Sequence, residues 1–171
     1  YAIIGPEAVI GPRTKVGAHA VVEYAALGAD NILHPGCFVG TPPQDLKYAG
    51  EETRLVMGDK CIVRECVTLN RGTVQGGGLT KIGSNCLFMT CSHVAHDCEV
   101  GDGVILVNTV ALGGHVHVGD GAVIGGMAGV HQFCRIGRFA MLGGGSMNGQ
   151  DVLPFATTQG ARGLTWIRIG A

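Results

Sequence analysis

From Ile82 to Leu142 a large aliphatic or aromatic residue returns every six positions, through Phe88, Val94, Val100, Leu106 and onward, eleven in succession. Four residues after each stands Cys, Ser, Val or Ala, and seven of the eleven are followed at once by Gly. The same period opens the chain at Ile4, Ile10, Val16 and Val22, slips by one residue, and resumes at Leu27, Leu33 and Val39 and at Met57, Val63 and Leu69. A period of six suits neither the helical repeat of about 3.6 nor simple strand alternation. It suits a short strand and a corner, repeated three times per coil. The large residue then fills a prism, the small one packs beside it, and Gly is expected where the backbone bends tightly. Each coil takes 18 residues, and successive coils stack as parallel strands about 4.8 Å apart.

The pattern predicts an all-β fold of one domain over 1–171, a single-stranded parallel β-helix with two loop excursions. The first is expected over Gly40–Val56, where Asp45 and Glu51 fall on core positions, and the second over Arg71–Lys81, which contains Gly76-Gly77-Gly78. Loops on a rigid scaffold are favoured sites of function, although a tolerated surface insertion is the plainer reading of each.

Composition narrows the class. Thirty glycines beside 5% aromatics fit a turn-dense β architecture. Twelve basic and thirteen acidic residues, a net charge of −1, argue against a nucleic-acid binder. No apolar run approaches the roughly 20 residues of a membrane span. Five of the seven cysteines (Cys37, Cys61, Cys86, Cys98 and Cys134) occupy the small core slot. They read as reduced thiols of a cytoplasmic protein rather than as a disulfide scaffold.

The coil also brings chemistry together. Residues 18 apart stack, so His96, Gly114 and Gln132 form one column. Asp97, His115 and Phe133 form the next, and Ala95, Gly113 and His131 the one before. His19, His34 and His117 lie apart and read as solvated side chains. The cluster admits two chemistries. A His with a reference pKa of about 6.5 can act as a general base at neutral pH, its tautomer fixed by a neighbouring carboxylate. His96 with Asp97 is that pair, and the Gly114 N–H is a candidate oxyanion donor. Three histidines with an open position also suit catalytic zinc. No Ser or Cys stands beside His96 as a nucleophile, which favours direct transfer over a covalent intermediate.

Four segments carry a resemblance: Gln44-Asp45-Leu46-Lys47-Tyr48-Ala49-Gly50, Arg71 to Lys81, His93-Val94-Ala95-His96-Asp97-Cys98, and Val130-His131-Gln132-Phe133-Cys134. Together, in this order, they resemble the UDP-N-acetylglucosamine 3-O-acyltransferases over essentially the whole chain. The resemblance implies a left-handed coil, which the period alone does not set. It implies transfer of a 3-hydroxyacyl group from acyl carrier protein to UDP-N-acetylglucosamine at the start of lipid A synthesis. The enzyme would be a cytoplasmic homotrimer with no cofactor and no metal. It implies His96 as the base, Asp97 as its partner and Gly114 as the oxyanion N–H. Gln44, Asp45, Lys47, His93, His115, His131 and Gln132 become substrate-binding residues. Gly144 and Met141 become determinants of acyl-chain length; the competing reading makes Gly144 a requirement of a tight bend. The resemblance also implies that residues 1–171 are part of a longer protein, with further N-terminal coils and a C-terminal helical domain.

Asn70 departs from the His often found there, which opens the choice between a 3-hydroxyl and a 3-amino acceptor. The remaining alternatives are a coenzyme A donor, a zinc enzyme resembling the γ-class carbonic anhydrases, and a non-catalytic β-helix.

Overall fold

The computed structural model describes residues 1–160 and 164–167; the rest of the domain expected over 1–171 lies outside the described residues. Two-residue strands alternate with four-residue corners around a three-sided, left-handed parallel β-helix. The first face runs from Ile3–Ile4 through Phe38–Thr41, Thr68–Asn70 and His93–Val94 to Met147–Asn148. The second runs from Val9–Ile10 to Arg135–Ile136, and the third from Lys15–Val16 to Ala156–Gln159, with Leu164–Ile167 added antiparallel at its end. Among the described residues no helix is long and apolar enough to cross a membrane.

The hexad residues fill the prism. Phe88, Leu106, Leu112, Ile124 and Leu142 are completely buried, and the small-slot residues Val104, Val110 and Ala122 lie beside them. Burying such side chains contributes roughly 1.5–3 kcal/mol each. All seven cysteines are free thiols, and burial pushes Cys37 up to about 11 and Cys98 up to about 12. The five in the core slot are buried among the hexad residues as small packing groups.

Register locates both excursions. Above them partners are 18 residues apart, as in His93↔Ala111 and Ala111↔Gly129. Across the first excursion the step is 30 (Ile32↔Ile62), and across the second 25 (Ile62↔Leu87). Both are shorter than the sequence predicts. Gly40 and Thr41 extend the strand Phe38–Thr41, and Arg54–Met57 is already a strand with Leu55 fully buried. Leu79–Ile82 is likewise a strand, pairing residue for residue with Arg54–Met57. The excursions are thus 42–53 and 71–78, because four-residue pairing alongside them places alternate side chains inward and outward.

The recurrent Gly also has a different cause from the one expected. Gly83 and Gly101, which follow core aliphatics, do not have left-handed backbones. The left-handed corner residue comes two positions later and is usually not Gly: Asn85, Asp97, Thr109, His115 and Met127 all occupy it. Gly is required because the next coil crosses there. A Cβ on Gly83 or Gly101 would overlap the carboxylate of Asp102 or Asp120. Those carboxylates accept the N–H of Ser84 at 2.6 Å and of Asp102 at 2.9 Å, clasping coil to coil along the edge between the second and third faces.

Candidate active site

The corner between the first and second faces carries the histidine cluster. Asp97 sits in the left-handed slot, with φ 58°, which turns its side chain back alongside that of His96. His96 Nδ1 lies 2.8 Å from Asp97 Oδ2. A carboxylate only accepts, so Nδ1 carries the hydrogen and Nε2 presents a lone pair. The His96 ring lies against Gly114, where a Cβ would come within 2.6 Å of Cε1 and 2.8 Å of Nε2. No side chain fits there. The Gly114 N–H makes no hydrogen bond among the described residues. The columns counted from the sequence are present: His115 N–H donates to His96 O, and Phe133 N–H to Gly114 O.

Asp97 is almost completely buried, its side chain only 1% exposed. Its Oδ1 accepts the Thr73 N–H at 2.8 Å, and its Oδ2 accepts the Thr73 hydroxyl at 2.6 Å. Its own N–H donates to the Thr80 hydroxyl at 2.8 Å. The glycine-rich second excursion exists at this point to cover the carboxylate. Gly76 lies so close that a Cβ would overlap Asp97, and one on Gly72 would overlap the backbone of Gly78 and Leu79. Thr73 and Thr80 escape sequence reasoning because counting by 18 fails across an inserted loop. The available signal was their position in a segment that already carried the family resemblance.

A groove of about 780 Å³ runs along the first face, bounded by His96, His93, His131, Gln132 and Gln44 and floored by Gly113, Gly114 and Gly129. His93 Nδ1 lies 2.7 Å from the Thr68 hydroxyl. Burial first, and His96 second, hold the His93 imidazole below the usual histidine range, which keeps it neutral at neutral pH. His131 is exposed, its Nδ1 3.1 Å from the Gln132 carbonyl. His115 stacks on Phe133 (4.5 Å, 10°) and meets His96 edge-on at 5.2 Å, with Nε2 3.8 Å from Asp97 Oδ2.

Other expected residues stand outside the groove. In the first excursion Asp45 Oδ1 accepts the Lys47 N–H at 3.0 Å, and Lys47 is exposed; only Gln44 of that trio reaches the groove. The excursion is held by Arg71, a buried cation that donates to Gly40 O at 2.9 Å and to Tyr48 Oη at 2.7 Å and lies over the Tyr24 ring. Gly144 lies at the corner between the third and first faces, the other edge of the first face from His96, and Met141 on the strand of the third face that leads into that corner. The tight-bend reading of Gly144 loses its basis. The left-handed residue is Gly145, and a Cβ on Gly144 would meet only Gly126 O at 3.2 Å and Gly126 N at 3.8 Å.

His96, Asp97 and His115 bring ligand atoms within 4.8 Å of one another, as a metal site would. Asp97 Oδ2, however, already accepts from Thr73 and His96, so a cation would have to displace a hydrogen bond.

A left-handed hexapeptide β-helix with a buried Asp–His pair opening on a groove defines a hexapeptide-repeat protein with a candidate acid–base site at a coil edge. No family model matches the chain. An acyl-[acyl-carrier-protein]–UDP-N-acetylglucosamine O-acyltransferase of Anaeromyxobacter sp. (strain Fw109-5) is 54% identical over 136 residues, 80% of this chain and 53% of that protein. The structure of LpxA from Acinetobacter baumannii matches with a TM-score of 0.88 and 42% identity, over 96% of this chain and 71% of the other. UDP-N-acetylglucosamine O-acyltransferase (LpxA) from Moraxella catarrhalis matches at 0.82 and 41%, over 93% and 69%. The chain belongs to the UDP-N-acetylglucosamine O-acyltransferase family. It spans about half the length of the curated relatives it matches.

Proposed function

We propose that the protein transfers a 3-hydroxyacyl group from acyl carrier protein to the 3-hydroxyl of UDP-N-acetylglucosamine, the first step of lipid A synthesis, in the cytoplasm. One observation carries the reading: His96 Nδ1 is tied to the buried Asp97 while Nε2 lies over Gly114 in the groove. Nε2 takes the proton of the sugar hydroxyl as its oxygen attacks the thioester carbonyl carbon. Asp97 stabilises the imidazolium, and the unpaired Gly114 N–H faces the oxyanion. Collapse breaks the C–S bond, and the departing thiolate recovers the proton from His96.

In this reading His93, His131, Gln132 and Gln44 line the acceptor cleft, and His115 backs the His96–Asp97 pair. Asp45 and Lys47 meet the nucleotide, and Gly144 with Met141 limit the acyl chain from a neighbouring subunit's side of the cleft. The outer residues of the third face support self-association as a homotrimer. Ile32, Ile62, Leu87, Ile105, Val123 and Met141 form one apolar ladder, whereas the second face presents Lys81, Glu99, His117 and Arg135. The two hydrogen bonds that Asp97 Oδ2 already accepts favour base catalysis over zinc.

An acceptor with a 3-amino group is the second reading, favoured by Asn70. It is buried one coil beneath Ala95, and its Oδ1 has no hydrogen-bond partner. The test is an assay of the full-length protein with both acceptors and with acyl carrier protein and coenzyme A thioesters side by side. Ester formation on UDP-N-acetylglucosamine from the carrier-protein donor is expected. Exclusive amide formation would establish the second reading, and turnover only with coenzyme A would overturn the donor assignment.

A further inference from the structure

Asp97 owes its geometry to a loop outside the regular coil, and one residue of that loop contacts both carboxylate oxygens. Thr73 gives its N–H to Oδ1 at 2.8 Å and its hydroxyl to Oδ2 at 2.6 Å. The direction of the hydroxyl is determined, because Thr73 Oγ1 also accepts the N–H of Gly76 at 3.2 Å as the cap of the single 3-10 turn Val74–Gly76. Its one hydrogen therefore points to Asp97. Oδ2 is left with one further acceptor direction, and His96 Nδ1 occupies it at 2.8 Å. Thr73 is 1% exposed, so water cannot replace its hydroxyl without opening the loop.

We propose that Thr73 is a positioning residue for the acyl-transfer reaction. By holding the Asp97 carboxylate in one plane with both of its oxygens engaged, it sets the orientation of His96. The proposal rests on His96 being the base. The glycines follow from the same requirement: Gly76 lets the turn lie across the carboxylate, and Gly72 lets the chain enter it without a clash. The excursion is thereby a fixed cover for one side chain rather than a surface insertion.

Thr73→Val keeps the shape and the backbone N–H and removes only the hydroxyl. In the full-length protein kcat is expected to fall about 10- to 100-fold, as for a base no longer held in its productive orientation. KM for both substrates should stay within about twofold, because Thr73 acts on the transition state through His96. Thr73→Ser, which keeps the hydroxyl, should restore kcat.

A double-mutant cycle guards against a folding defect: in an Asp97→Ala background Thr73→Val should cost nothing further. Wild-type kcat in Thr73→Val would overturn the proposal, as would failure of Thr73→Ser to rescue or additive losses in the cycle. If instead His96→Ala remains active, the base assignment has failed, whatever Thr73 does.

Discussion

Two edges of the same prism present acidic side chains at neighbouring corner slots and use them for opposite ends. Between the second and third faces Asp102 and Asp120 reach to the coil before and accept its backbone N–H, exposed to water throughout. Between the first and second faces Asp97 reaches back in the same way, but the coil before it has been extended by the second excursion. It finds two donors on Thr73 in a buried site and keeps one acceptor direction of Oδ2 for His96. A one-slot shift into the left-handed position and an eight-residue loop over 71–78 separate a clasp from a site. The repeat supplies a reach-back carboxylate wherever Asp falls at a corner. Burial and a histidine neighbour give it chemistry.

The comparison is sharpest where the two carboxylates are removed in turn. Asp97→Ala should lower kcat about 100- to 1,000-fold with the coil intact, because His96 loses both its tautomer and its counter-charge. Steady-state kinetics beside circular dichroism checks this, and a loss below about tenfold would place Asp97 with the clasps. Gly114→Ala acts on the same edge from above. The added Cβ meets the His96 ring at 2.6 Å, so a fall in kcat of about 10- to 100-fold is expected with donor KM little changed, as for a displaced base. An unchanged kcat would show that the ring can move aside.

The third edge, between the third and first faces, carries Gly126 and Gly144 in line. Gly144→Met should shift preference to a 3-hydroxyacyl donor several carbons shorter, since each buried methylene contributes ~0.8 kcal/mol and overpacking costs ~1–3 kcal/mol. A uniform loss across donor lengths would remove Gly144 from the acyl site. The smallest effect belongs to the clasp edge: Asp102→Ala should lower unfolding free energy by only ~0.5–1.5 kcal/mol and leave kcat untouched.

Regular repetition made the fold and the histidine edge legible from residues alone. Counting by 18 placed Gly114 against His96 and His115 against Phe133, because nothing interrupts the coils between Ile82 and Leu142. The same counting could not reach Thr73, Thr80 or Arg71, which act across or inside insertions where register is set by pairing rather than by period. It also misread Gly83 and Gly101. A six-residue pattern records that a Cβ is excluded, not whether a bend or a neighbouring coil excludes it. Asp97 beside His96 raised the opposite difficulty, since adjacent residues meet only through the left-handed turn, which Asp tolerates better than most residues.

The most direct test of the central claim is the rate of acyl transfer by His96→Ala in the full-length protein, with 3-hydroxyacyl carrier protein and UDP-N-acetylglucosamine both saturating. A drop of about 10²- to 10⁴-fold with the assembly intact is predicted, the range for loss of a positioned general base. Retention of more than about a tenth of wild-type activity would contradict it.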